Sequence, residues 1–76
     1  MDYFRELMDG RAIVIVPNEE NKDYDVAVFW LFENNIYVWG REIGTIEWNG
    51  TIFDLYDHFD RMTSNGYHLF ARGRND

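Results

Sequence analysis

The chain has 76 residues, no cysteine and a formal net charge of −7, from 14 Asp and Glu against 7 Lys and Arg. This length predicts a single domain that buries about 60% of the surface its unfolded chain exposes, and no disulfide reinforces its small core. The negative charge repels phosphate backbones and anionic membranes, so direct binding to nucleic acid or to a lipid surface is disfavoured.

The N-terminal part of the chain predicts a short helix followed by a strand. Apolar residues recur at helical spacing over residues 3–8, and Gly10 is suited to end one or two turns, with a frayed terminus as the alternative. The β-branched run that follows predicts a strand over Arg11 to Val16, ended by Pro17. The wholly polar segment 18–23 is expected to form a surface loop.

The stretch from Asp25 to Trp39 is the densest apolar and aromatic run and predicts a β-hairpin. Its turn is expected at Asn34-Asn35, because Asn tolerates the positive φ of a tight turn, and this register puts Phe32 opposite Tyr37. Alternation along the strands gives the hairpin two different faces. The aromatic face consists of Val26, Val28, Trp30, Phe32, Tyr37 and Trp39. The aliphatic face consists of Ala27, Phe29, Leu31, Ile36 and Val38.

A third antiparallel strand is predicted after the hairpin. Gly40-Arg41 can form a turn into Ile43 to Trp48. In the expected register Gly44 lies opposite Tyr37, and Ile46 and Trp48 extend the aromatic face.

A long helix and a closing strand are predicted for the rest of the chain. Thr51 is expected to cap the helix, with Asp54 as its partner in a capping box. Apolar residues recur at helical spacing from Ile52 to Met62, and Gly66 ends the helix. Alternation over Tyr67 to Ala71 then predicts the last strand.

These elements predict one α+β domain over residues 1–76, in the order β-β-β-β-α-β, with a short N-terminal helix in addition. The sheet is expected to be an antiparallel meander of four to five strands, with the amphipathic helix packed on its aliphatic face. The sequence leaves open what covers the aromatic face. The candidates are the N-terminal segment 3–7, a second copy of the chain and a partner protein.

No catalytic, metal-binding or phosphate-binding motif occurs in the sequence. Ser64, the one serine, belongs to the helix terminator, and there is no cysteine nucleophile. Asp54 and His58 have the i, i+4 spacing of two metal ligands, but a site needs a third, and His68 is expected elsewhere. We therefore expect no metal, no cofactor and no enzymatic activity. The helix acids are interpreted as a solvated face whose charges pair locally, including Asp54 with His58.

The acidic balance and the aromatic face favour a non-enzymatic protein-binding module. Its acids are expected to meet a basic, nucleic-acid-binding surface of a partner protein and to take the place of phosphates there, while its rings anchor the contact. The candidate acidic residues are Glu19, Glu20, Asp23, Asp25, Asp54, Asp57 and Asp60. The candidate aromatic residues are Trp30, Tyr37, Trp39 and Trp48.

Small acidic domains without active-site motifs are typical of inhibitors encoded by phages and mobile elements, and this is the role that the sequence favours. No signal peptide or membrane-spanning run is evident, so the cytoplasm is the expected location, the host cytoplasm if the protein is phage-encoded.

Two alternatives use the aromatic face differently. A structural or regulatory homodimer would pack two such faces together. A small ligand or a single-stranded nucleic acid would instead stack on the rings, although Arg41 is the only basic residue expected nearby.

Overall fold

A computed structural model describes residues 2–17 and 26–73 of the chain. Within these ranges the chain forms helices α1 (Tyr3–Met8) and α2 (Ile52–Ser64) and strands β1 (Ala12–Val16), β2 (Ala27–Phe32), β3 (Asn35–Gly40), β4 (Gly44–Glu47) and β5 (His68–Arg72). The strands form an antiparallel sheet in the order β4-β3-β2-β1-β5. The predicted α+β fold with its short N-terminal helix is confirmed.

Both helices pack on one face of the sheet, and the hydrophobic core lies between the helices and this face. The buried core residues are Leu7, Ile13, Ile15, Phe29, Val38, Leu55 and Phe59. The Tyr3 hydroxyl donates a hydrogen bond of 2.9 Å to the carbonyl oxygen of Leu69 and ties α1 to β5. The N-terminal segment therefore lies with α2 over the aliphatic face, and it does not cover the aromatic face.

The hairpin of β2 and β3 has the predicted faces but a different turn. Its turn is Glu33-Asn34, with φ of 50° and 70°, the left-handed values of a type I′ turn, whereas Asn34-Asn35 was the predicted position. Tyr37 consequently pairs with Trp30 rather than with Phe32. Because the register differs by an even number of residues, every side chain stays on its predicted face.

Ile46 and Trp48 lie on the other face from the one predicted. The turn between β3 and β4 has three residues, so Gly44 pairs with Gly40 and not with Tyr37. Gly44 has a φ of 69°, the left-handed conformation that closes a three-residue hairpin turn. An odd number of turn residues reverses the alternation along the next strand. The Trp48 ring thus packs edge-on against Phe29 on the core side, with 5.8 Å between ring centroids.

Helix α2 begins and ends as the sequence predicts. The Thr51 hydroxyl accepts a hydrogen bond of 3.0 Å from the backbone N–H of Asp54. In return the Asp54 carboxylate accepts one of 2.9 Å from the backbone N–H of Thr51. This reciprocal pair is the predicted capping box. The helix ends at Ser64, and Gly66 follows with a φ of 90°.

The side of the sheet opposite the helices, here called the open face, contains the aromatic face of the hairpin. In the described part of the chain no helix packs against it, because both helices contribute to the core on the other side. Its apolar side chains come from Ala12, Val14, Val16, Val28, Trp30, Phe32, Tyr37, Trp39 and Phe70. The described helices include none that is long and apolar enough to cross a membrane.

Candidate functional site

The outward surface of α2 exposes large apolar side chains. Phe53 is 85% exposed, Ile52 is 58% exposed and Tyr56 is 55% exposed. Ile52 and Tyr56 belong to the predicted apolar stripe of the helix, whereas Phe53 was not predicted as a functional residue. Only Leu55 and Phe59 of this helix are buried. The exposure of Phe53 was predictable from the sequence. Its position is not three, four or seven residues from Leu55 or Phe59, so it lies on the side of the helix away from the core.

Three predicted acidic residues, Asp54, Asp57 and Asp60, are exposed on the same helix. The Asp54 carboxylate accepts hydrogen bonds from the backbone N–H and the hydroxyl of Thr51. These bonds lower the pKa of Asp54, with the backbone bond as the largest cause. Asp57 forms an ion pair with Arg61 one helical turn away. Two of the three acids thus make contacts within the helix.

Asp60 belongs to a groove between α1 and α2, here called the helix groove. The groove has a volume of about 390 Å³. It is lined by Asp2, Tyr3, Phe4, Tyr56, Phe59, Asp60 and Thr63. The rings of Phe4 and Tyr56 contact each other at 6.2 Å between centroids, tilted by 57°. Because Phe59 is buried and both acids are exposed, the groove has an aromatic base and carboxylates at its solvent side.

This arrangement suits a side chain that is apolar along its length and cationic at its end. Aromatic rings attract a cation over their faces and also pack against an alkyl chain. Carboxylates form charge-assisted hydrogen bonds with ammonium and guanidinium groups. Lysine and arginine side chains therefore match both parts of the helix groove.

His58 lies in a different environment from the one predicted. It is half-buried, and its ring centroid is 5.7 Å from that of Phe29 and 5.8 Å from that of Trp48. Burial lowers the pKa of His58, Arg61 lowers it further, and Asp57 opposes the shift. The imidazole is therefore neutral at pH 7 and belongs to the edge of the core. The predicted ion pair between Asp54 and His58 is wrong, because the Asp54 carboxylate caps the helix instead.

Metal ligands do not cluster in the described residues, where no three His, Asp or Glu side chains lie close enough to hold an ion. The predicted acidic residues Glu19, Glu20, Asp23 and Asp25 lie outside the residues that the structure describes.

The structure places the remaining predicted residues on two opposite sides of the domain. Trp30 and Tyr37 stack on the open face, with 5.9 Å between centroids and 23° between planes, and Trp39 lies on the same face. The acids of α2 lie on the helix side. The described acids Asp54, Asp57 and Asp60 therefore do not form one continuous surface with the rings of the open face.

Comparison of the chain with protein-family models, with curated protein sequences and with solved structures found no match.

Proposed function

We propose that this protein is a non-enzymatic protein-binding domain whose helix groove receives a basic side chain of a partner protein. The observation that carries the proposal is the combination of the contacting rings of Phe4 and Tyr56 in the groove with the exposed carboxylates of Asp60 and of Asp2, which also caps α1. A lysine or arginine of the partner would lay its alkyl chain on the rings and its charge between the acids.

The surroundings of the groove support a larger contact than one side chain. Phe53 is 85% exposed on the adjacent part of α2, and an aromatic side chain that enters a pocket is a common centre of binding energy. The net charge of −7 attracts a basic surface over a distance and raises the association rate.

The partner class that fits these features is a protein with a basic surface that otherwise binds nucleic acid. Such a surface already displays lysine and arginine, and the carboxylates of this protein would take the place of phosphates on it. The proposal extends to an inhibitor of the kind encoded by phages and mobile elements, acting in the cytoplasm of the host.

The proposal is tested by capturing partners from a host lysate at about 50 mM and about 300 mM salt, conditions that separate electrostatic from apolar binding. Wild-type protein is compared with Asp60→Lys, which reverses a charge at the groove. The control is Glu42→Lys, which makes the same charge change in the exposed turn between β3 and β4.

We expect wild-type protein and Glu42→Lys to retain the same basic protein at low salt. Asp60→Lys is expected to retain about tenfold less, because the charge-assisted contact of this carboxylate is lost and replaced by repulsion. Equal capture by all three proteins at both salt concentrations would contradict the proposal.

A further inference from the structure

The open face is nearly neutral on a strongly acidic chain. In the described strands its formally charged residues are one acid and one base, Glu47 on β4 and Arg72 on β5, and His68 lies on the same face. The chain as a whole has a net charge of −7. Charge on the described strands of this face therefore opposes contact between two copies very little.

The open face is arranged in rows that cross the sheet. One row follows the pairings from β4 to β5 through Thr45, Trp39, Val28, Val14 and Phe70. The next row contains Glu47, Tyr37, Trp30, Ala12 and Arg72. Trp30 is placed opposite Ala12 in this row by continuing the antiparallel register one residue beyond the pair of Ile13 and Phe29. The second row therefore has opposite charges at its two ends.

The size of the side chains also varies across the open face. The half formed by β2 and β3 carries large rings, whereas β1, on the other side of β2, carries only Ala12, Val14 and Val16. The edge strands show the opposite pattern of side-chain size. Strand β4, beside the large rings of β3, contributes the small Thr45, and β5, beside the small residues of β1, contributes the large Phe70. Such a surface is not flat, and it fits best against a surface with the opposite sequence of heights.

We propose that a second copy of this chain covers the open face, related by a two-fold axis that runs parallel to the strands above β2, the middle strand of the sheet. This rotation reverses the order of the strands and keeps each row over itself. It therefore places β4 of one copy over β5 of the other, and β3 of one copy over β1 of the other.

Opposite charges and opposite side-chain sizes then meet at the four strands on either side of β2. Glu47 of each copy faces Arg72 of the other. Trp39 lies over Val14, Tyr37 over Ala12, and Phe70 over Thr45. The axis passes between the two Trp30 side chains. Aligned sheets packed about 10 Å apart accommodate this arrangement with the usual small angle between strand directions.

A two-fold axis perpendicular to the strands is disfavoured. It would keep each strand over itself, so the rings of β3 would face each other while the small residues of β1 faced each other across a gap. It would also move Glu47 away from Arg72. The distribution of charge and the distribution of side-chain size thus both favour the axis parallel to the strands.

The proposed dimer is independent of the helix groove, which lies on the other side of the sheet. Five strands about 4.8 Å apart and about five residues long give a face at the small end of stable interfaces. Association is therefore measured by sedimentation equilibrium from about 10 μM to about 1 mM, a range chosen for an interface of this size.

Charge reversal tests the axis. In the dimer, Glu47→Arg replaces two attractive contacts by two repulsive ones, and Arg72→Glu does the same. Each single variant is expected to weaken association by about tenfold at low salt. Glu42→Arg makes the same charge change in the turn between β3 and β4 and is expected to leave association unchanged.

Mixing the two weakened variants shows whether Glu47 and Arg72 contact each other between copies. In a pair of Glu47→Arg with Arg72→Glu, both edge contacts again join opposite charges, so a mixed dimer is expected to recover the wild-type dissociation constant. A repulsion acting within one chain would not be relieved by mixing. Circular dichroism checks that each variant is folded. If a reversed variant does not fold, Glu47→Gln and Arg72→Gln are expected to weaken the dimer by about threefold at low salt.

Three results would overturn the proposal. One is a wild-type chain that stays monomeric at about 1 mM, well above the dissociation constant expected for the interface. Another is a dimer whose strength is unaffected by either charge change, or not restored by mixing. The third is a monomer whose tryptophan fluorescence responds to an oligothymidylate, which would assign the open face to single-stranded nucleic acid instead.

Discussion

The His58 imidazole shows how packing changes the chemistry of one polar side chain. It precedes the buried Phe59 on α2 and lies beside the rings of Phe29 and Trp48. Removal of water disfavours the protonated form, and this burial is the main reason that the pKa of His58 is lowered. The neutral ring thus contributes to the edge of the core.

The lowered pKa predicts a loss of stability in mild acid. The unfolded imidazole, with its ordinary pKa of 6.5, takes up a proton before the folded one does. The stability due to the neutral ring is therefore fully present above this value and is lost as the pH falls through the pKa of the folded state. We expect the free energy of unfolding, measured with urea, to decrease between about pH 7.5 and about pH 5, above the main carboxylate titrations.

A variant comparison assigns this pH dependence to His58. His58→Phe keeps a ring at the position and is expected to flatten the profile in this interval. His68→Gln changes an exposed histidine of β5 and is expected to leave the decrease in place. An equal decrease in the free energy of unfolding with falling pH for wild-type protein and His58→Phe would contradict this explanation.

At the level of the secondary-structure elements, α2 carries two phenylalanines in opposite environments. Phe59 is buried against the sheet, and its ring meets Phe29 edge-on at 5.2 Å between centroids. Phe53 lies on the solvent side of the same helix. Replacing each ring by alanine therefore compares how much a buried and an exposed phenylalanine of the same helix contribute to stability.

Phe59→Ala is expected to lower the free energy of unfolding by about 3 to 5 kcal/mol, because it removes a buried ring and leaves a cavity. This is a large part of the roughly 4 to 11 kcal/mol typical of a chain of this length. Phe53→Ala, its matched control, is expected to change stability by no more than about 0.5 kcal/mol. Urea titration followed by circular dichroism measures both values. A loss above about 1 kcal/mol for Phe53→Ala would show that this ring is packed, and that it is not an exposed anchor.

The hairpin and α2 were predictable because their signals are local. Period-two alternation fixes which side chains share a face, so the faces survived a register that differs from the predicted one by two residues. The capping box of Thr51 and Asp54 and the terminator Gly66 follow from neighbouring residues.

The face of Trp48 and the helix groove were not predictable in the same way. The orientation of Trp48 depends on whether the turn after Gly40 has an odd or an even number of residues, and its sequence is compatible with both. The groove depends on which face of the sheet α1 selects. That choice is made by tertiary contacts such as the bond from Tyr3 to Leu69, which leave no periodic signal in the sequence.

At the scale of the whole molecule, the described residues form two candidate binding surfaces on opposite sides of the sheet. The acids of α2 and the helix groove face one way, and the nearly neutral open face looks the other way. The proposed dimer would be a four-layer structure with the two sheets inside and a helix groove on each outer side. Two grooves held in one rigid particle would bind a partner with repeated basic sites more tightly than a single groove does.

Whether the helix groove receives a basic side chain is measured most directly by an NMR titration of isotope-labelled protein with a short arginine-rich peptide at low salt. We predict that the chemical-shift changes concentrate at Phe4, Tyr56 and Asp60, become smaller at high salt, and are lost in Asp60→Lys but not in Glu42→Lys. Shift changes confined to the open face, or no saturable changes at all, would contradict the proposed function.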